Sequence, residues 1–345
     1  MSIKNLKTLL HRHWVLVLWV GLFVVSFTVT TGIMTWRNRA LLKTTGLAGA
    51  TVEGRIRSMG LAMWYWQIPR CDCDCPKNRR GQHRSWNAKG RGRHYVSVAS
   101  NARRSGVKTA YVKVHDGTQP YASYDDGQIT AFRKAGLAVL VWGYNHVNTP
   151  HAEAELIISY LHRTDVAGYI ANTEVHVKGK AKSLETMMGR VRQHRDSCLS
   201  CRDKLIGYAP YAFPSYHRAL SYEVLNRYSD FVAPQLYWAT IYRHPTYIVR
   251  DPKIGRHKSV SRVVKAVSKM YAEWSAWEAQ QERTGKSRAI PICPIGQTYG
   301  RVRPGEIQEF IRLTRGYYSI SFWDAQHATP GMVRDVTAGT RRWRR

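Results

Sequence analysis

Acidic side chains are scarce. The chain carries 23 Asp and Glu against 53 Lys and Arg, a formal charge of +30 over 345 residues. That imbalance points to an anionic partner, whether nucleic acid, an anionic lipid surface or an acidic cell-wall polymer, and says nothing about fold. No G-x-G-x-x-G follows the first strand-like run, so the main sign of a doubly wound dinucleotide-binding sheet is missing. Helix-turn-helix, RNP and zinc-finger patterns are missing as well, and nucleic acid is not a favoured partner.

Cysteines number six: Cys71, Cys73, Cys75, Cys198, Cys201 and Cys293. The C-x-C-x-C cluster and the C-x-x-C pair invite a zinc reading, but their spacing matches no recognisable zinc module. Disulfides or free thiols are favoured instead, and neither a metal nor a cofactor is expected at the functional site.

Charge is also absent from residues 14–36, WVLVLWVGLFVVSFTVTTGIMTW. At 1.5 Å per residue these 23 residues cross a bilayer core of about 30 Å, and Trp at both ends suits the interfaces. No small-residue cleavage site follows, so the run is expected to stay as a single-pass anchor. Lys4, Lys7 and Arg12 before it balance Arg37, Arg39 and Lys43 after it, so flanking charge does not set the orientation. A barrel on the extracytoplasmic side is expected because an anchor that starts a chain commonly serves as an export signal. Residues 1–13 form a short basic segment and 37–58 a linker.

From residue 60 onward, apolar strand-like runs alternate with amphipathic helices. The strands are expected at 60–68, 108–116, 137–145, 168–179, 205–213, 230–238, 289–297 and 317–325. Helices are expected at 94–105, 126–135, 151–164, 183–196, 217–228, 260–284, 304–315 and 330–338. Eight near-continuous apolar strands suit a parallel sheet buried on both faces. An α/β fold of the (β/α)8 TIM-barrel type over 59–339 fits best, with a doubly wound open sheet as the alternative.

A barrel gathers the carboxyl ends of its strands on one face. The sequence GYIANTEVHVKG at 168–179, read as a strand, sets Asn172 and Glu174 side by side there. Glu174 is the candidate general acid of a glycosidase. Glycoside cleavage ordinarily needs a second carboxylate, about 5–5.5 Å away for retention or about 6.5–9.5 Å for inversion, and Asp116 or Asp324 could supply it. A substrate-assisted route, with a sugar N-acetyl group as nucleophile, needs one acid and a positioning group such as Asn172 or Tyr237. Structural roles compete with these: a solvated edge for Glu174, Asp-Gly turn chemistry for Asp116, a buried partnership for Asp324. The same strand ends supply Trp64, Trp66, Lys113, Trp142, Tyr144, Asn172, Gln235, Tyr237, Trp238, Trp323 and Gln326. Rings of this kind stack on sugar faces while amides satisfy hydroxyls, and 12 Trp and 20 Tyr give the chain ample rings.

Several segments carry a resemblance in order along the chain: GLAMWYWQI (60–68), GVKTAYVKVHDGT (106–118), AFRKAGLAVLVWGY (131–144), NTE (172–174), FPSYH (213–217), APQLYW (233–238) and SFWDAQHA (321–328). The sequence resembles the glycoside-hydrolase-like (β/α)8 proteins of actinobacterial, Chloroflexi and phage type, distant relatives of family 25 lysozymes. That resemblance implies a D-x-E acid pattern on the fourth strand. Asn172 stands where its first acid would be, Glu174 is kept, and the first-strand Asp of family 25 is missing.

Between Lys77 and Arg104 there are nine Lys or Arg and no acid. This basic insertion, about 69–93, follows the first strand and would lie over the Glu174 face. With the basic tail 340–345 it offers attachment to an anionic polymer or lipid surface. The expectation is a membrane-anchored glycosidase acting on a cell-wall or surface glycan of the peptidoglycan kind. A glycan-binding or structural barrel with eroded acids is the first alternative, and a basic nucleic-acid-associated protein the second.

Overall fold

A computed structural model describes residues 51–68, 88–241, 249–250, 259–260, 262–303 and 305–343. The charge-free run 14–36, the first three cysteines, most of the basic insertion and the last two residues of the tail lie outside them. Among the described residues no helix is long and apolar enough to cross a membrane.

The described residues form a ring of parallel strands: β1 (Leu61–Tyr65), β2 (Thr109–Asp116), β3 (Ala138–Tyr144), β4 (Gly168–Asn172), β5 (Leu205–Ala209), β6 (Phe231–Val232), β7 (Ile295–Gln297) and β8 (Ile320–Trp323). Their hydrogen-bonded order runs β7, β8, β1, β2, β3, β4, β5, β6. Isolated parallel bridges, Val232 to Ile292 and Gln235 to Ile295, join the two ends of that path. Helices α1 (Val52–Met59), α2 (Ala88–Arg104), α3 (Asp126–Lys134), α4 (Pro150–Leu161), α5 (Ala181–Ser197), α6 (Tyr222–Tyr228), α7 (Arg262–Arg283), α8 (Glu306–Leu313) and α9 (Pro330–Trp343) flank the strands. The architecture is a TIM-barrel-like α/β fold.

Strand alternation divides the apolar residues into two cores. Leu61, Val112, Val139, Val141, Tyr169, Ile206 and Tyr208 point outward and pack with helix residues such as Phe132, Ile157, Met187 and Val191. Ala62, Trp64, Tyr111, Leu140, Trp142, Ile170, Leu205, Phe231 and Ile295 point inward and fill the barrel. Ile56 and Met59 of α1 belong to this inner core.

Several boundaries differ from the sequence expectation, each for a physical reason. The linker expected over 37–58 ends in α1, because Thr51 accepts a hydrogen bond from Gly54 N at 3.1 Å and caps a helix. The basic insertion ends in helix from Ala88 on, and residues 340–343 of the basic tail continue α9. The strand expected over 168–179 stops at Asn172, and Val175–Val177 is a 3-10 turn. Over 230–238 only Phe231 and Val232 keep the ladder, since Pro234 has no N–H to donate, and Trp238 starts a helical turn. Pro291 and Pro294 likewise shorten the seventh strand to Ile295–Gln297. Cys198 and Cys201 are paired as a disulfide, and Cys293 is a buried thiol.

A buried polar chain ties β2, β3 and β4 together outside the barrel. His115 Nδ1 donates to the Gly117 carbonyl at 2.8 Å, and its Nε2 stands 2.9 Å from the Tyr169 hydroxyl. The hydroxyl reaches Asn145 Oδ1 at 3.1 Å, and Asn145 Nδ2 donates to Glu153 Oε2 at 3.3 Å. Room for the imidazole comes from Gly143, where a Cβ would lie 2.0 Å from His115 Nε2. Burial lowers the His115 pKa to about 4 from 6.5, so the ring is neutral at pH 7.

Two expectations follow from this chain. Gly143→Ala forces ring and strand apart and lowers stability by about 1–3 kcal/mol, read from the urea midpoint. The neutral ring contributes stability that is complete above pH 6.5 and lost as pH falls through about 4. His115→Gln removes that slope, a difference of order 3 kcal/mol between neutral and acid unfolding curves.

Candidate active site

The strand ends enclose a cavity of about 320 Å3 lined by Trp64, Trp66, Lys113, Trp142, Tyr144, Asn172, Glu174, Gln235, Tyr237, Ile295 and Trp323. Asn172 is the last residue of β4, and Glu174 caps the short turn after it, so both follow directly from how that strand ends. Asn172 Nδ2 donates to Glu174 Oε1 at 3.1 Å. From the other side, Gln235 Nε2 reaches Glu174 Oε1 at 3.1 Å and Asn172 Oδ1 at 3.0 Å. One carboxylate oxygen is therefore fixed by two amides, and Oε2 has no hydrogen-bond partner among the described residues.

Indoles from three strands meet inside the mouth, Trp142 edge to face with the other two and Trp64 tilted on Trp323. Trp64 lies 5.3 Å from Trp142 and 5.8 Å from Trp323 between ring centroids, and Trp142 lies 5.4 Å from Trp323. Trp66 stacks on Trp323 at 6.2 Å. The Trp142 Nε1 donor is buried without an acceptor among the described residues. Lys113 Nζ sits 5.3 Å above the Trp142 ring. Burial, then repulsion by Tyr299, Glu174 and Asp324, pushes the Tyr237 phenol well above its usual range. Burial and Glu174 push Tyr144 up to about 12. Both phenols stay protonated and serve as donors.

The other carboxylates named from sequence have partners of their own. Asp116, half-exposed, takes Lys113 Nζ at 2.7 Å and does not line the cavity. Asp324 is buried and accepts from Trp66 Nε1 at 2.6 Å and from the His327 amide at 3.0 Å, with His327 Nδ1 at 2.9 Å. Trp238 lies outside the site: it is fully buried, stacks on Phe310 and donates to Glu306 Oε2 at 3.2 Å. Gln326 does not line the cavity. Ile295 does, and nothing in its apolar segment marks it beforehand. Tyr144 also reaches His176, 3.1 Å from its hydroxyl, where the 3-10 turn replaces the expected strand.

The fold is shared with known glycosidases. The chitinase of Chromobacterium violaceum matches with TM-score 0.52 at 9% identity, over 82% of this chain and 99% of that one. An immunomodulatory chitinase of Trichuris suis matches with TM-score 0.52 at 11% identity over the same shares. A family 25 glycosyl hydrolase from Bacillus anthracis covers 39% of this chain at TM-score 0.31, too little to support family 25 in particular. No protein-family model and no curated protein matches the sequence.

Asn172→Asp would place two carboxylates at hydrogen-bond distance. One of them is then held protonated above the usual carboxylate range. The variant is expected to lose about 1–3 kcal/mol at pH 7 and to recover toward pH 4, as the raised group takes up a proton that the pair shares, measured by thermal melts across that range.

Proposed function

We propose that this chain is a glycoside hydrolase acting on a polymer of N-acetylated sugars, of the cell-wall or surface kind, with Glu174 as its general acid. One observation carries the reading: a single carboxylate, fixed by two amides, opens into an indole-walled cavity at the ends of the strands. Trp66 and Trp323 offer stacking faces, while Lys113, Asn172 and Tyr237 offer hydrogen bonds to hydroxyl and acetamido oxygens. The shared fold with two chitinases supports the substrate class.

Neither Asp116 nor Asp324 is available as a free nucleophile, which favours the substrate-assisted route. The acetamido oxygen attacks the anomeric carbon as Glu174 gives its proton to the departing glycosidic oxygen. Water then opens the cyclic oxazolinium, losing a proton to Glu174. Asn172 and Tyr237 hold the acetamido group in line. In the same reading the run 14–36 anchors the barrel at the membrane on its outer side. The basic insertion and tail keep it against anionic polymer or lipid.

Turnover of purified cell-wall glycan and chitin oligomers by the full chain, beside Glu174→Gln, tests the proposal. Glu174→Gln keeps the shape of the side chain and is expected to lose about 10²- to 10⁴-fold in kcat. A parent protein that binds these glycans without cleaving them would replace the enzyme reading with that of a glycan-binding barrel. Asn172 already stands in place of an acid in that alternative.

A further inference from the structure

At the end of the barrel opposite the cavity, four side chains of metal-ligating type converge. His162 follows α4, His194 and Cys198 stand one turn apart at the end of α5, and Cys201 lies in the loop entering β5. One ligand atom from each lies within 4.8 Å of all the others. His162 Nε2 and His194 Nε2 are 2.9 Å apart, and Cys201 Sγ is 3.9 Å from His162 Nδ1.

The sulfurs are joined as a disulfide in this structure. A disulfide accounts for the two sulfurs alone. Beside them the two imidazoles, from separate segments, share a hydrogen bond between their Nε2 atoms, so four donor groups meet at one place. Two nitrogen and two sulfur donors around one point are the set a tetrahedral zinc ion takes. With Zn–N about 2.0–2.1 Å and Zn–S about 2.3 Å, the ligand atoms of such a tetrahedron stand roughly 3.3–3.8 Å apart. The present set lies within 4.8 Å, and reaching that spacing requires the sulfurs, now bonded, to part and the widest pair to close by about an ångström.

We propose that the reduced protein binds one zinc-class divalent ion through His162, His194, Cys198 and Cys201. A thiol or phosphine reductant supplies two electrons to the disulfide, and two protons from solvent complete the two thiols. The ion then displaces both thiol protons to solvent while the imidazoles bind through unprotonated nitrogens. Four protein ligands leave no open position, so the ion is a fastener rather than a catalyst. It joins the segment after α4, which feeds β4, to the end of α5, which feeds β5.

The test uses the full chain in detergent, reduced with a phosphine, loaded with zinc and dialysed, with metal measured by mass spectrometry. Cys198→Ser/Cys201→Ser is expected to hold one equivalent less than the parent. A Cys71→Ser/Cys73→Ser/Cys75→Ser variant is expected to keep that equivalent. Cobalt in place of zinc is expected to give the intense visible bands of a tetrahedral sulfur-ligated ion, and His194→Gln, a milder change, to weaken them with the circular dichroism unchanged. Equal metal in the parent and the double-serine variant would overturn the proposal. So would an octahedral cobalt spectrum, or a disulfide that persists in excess phosphine.

Discussion

Everything on the carboxyl face depends on closing the ring between residues 231–236 and 291–297. This seam is the thinnest part of the barrel, because three prolines, Pro234, Pro291 and Pro294, remove donors from it. Their carbonyls still accept. Val232 N bonds to Pro291 O at 3.0 Å, Ile295 N to Pro234 O at 2.8 Å, and Cys293 N to Val232 O at 2.7 Å. Leu236 N then bonds to Ile295 O at 2.8 Å and fixes the chain just beyond Gln235. Gln235 is the residue that reaches across to Asn172 and Glu174, so the seam and the acid form one mechanical unit.

The cavity concentrates polar groups by kind. Amides, phenols and indole N–H groups surround one carboxylate, while the two remaining candidates are occupied by a lysine and by an indole with a histidine. In a chain so rich in cations, Lys113 is the only one among the described residues that lines this space, and its charge is matched at 2.7 Å by Asp116. Among the described residues, charge is thus nearly balanced where a neutral sugar would sit.

Much of this was legible in sequence because the strand period and the apolar runs agree. Residues 108–116 and 137–145 gave strands within a residue of those observed, and alternation put Ile170 and Asn172 on the inner side together. Errors clustered where proline or a cap overrides the pattern. Trp238 was assigned to the site as the end of a strand expected over 230–238, yet the chain turns into a helix after Pro234 and the indole packs outward on Phe310. The buried partnership weighed for Asp324 is the one found, but the identity of its partners was hidden: Trp66 is 258 residues away and His327 comes from a local turn. The histidine that meets the C-x-x-C pair was hidden for the same reason. His162 is 39 residues from Cys201, and only the packing of α4 against α5 brings them together.

α1 gives the molecule a direction. Its Ile56 and Met59 stop the barrel from below, and Thr109 Oγ1 bonds to the Met59 carbonyl at 2.9 Å, so the chain enters through the sealed end. Residues 37–51 can extend at most about 50 Å, at roughly 3.3–3.6 Å per residue. Anything that grips the chain before them holds the barrel by its base on a short leash. The mouth with Glu174 lies at the opposite end of the barrel from the point where the chain enters.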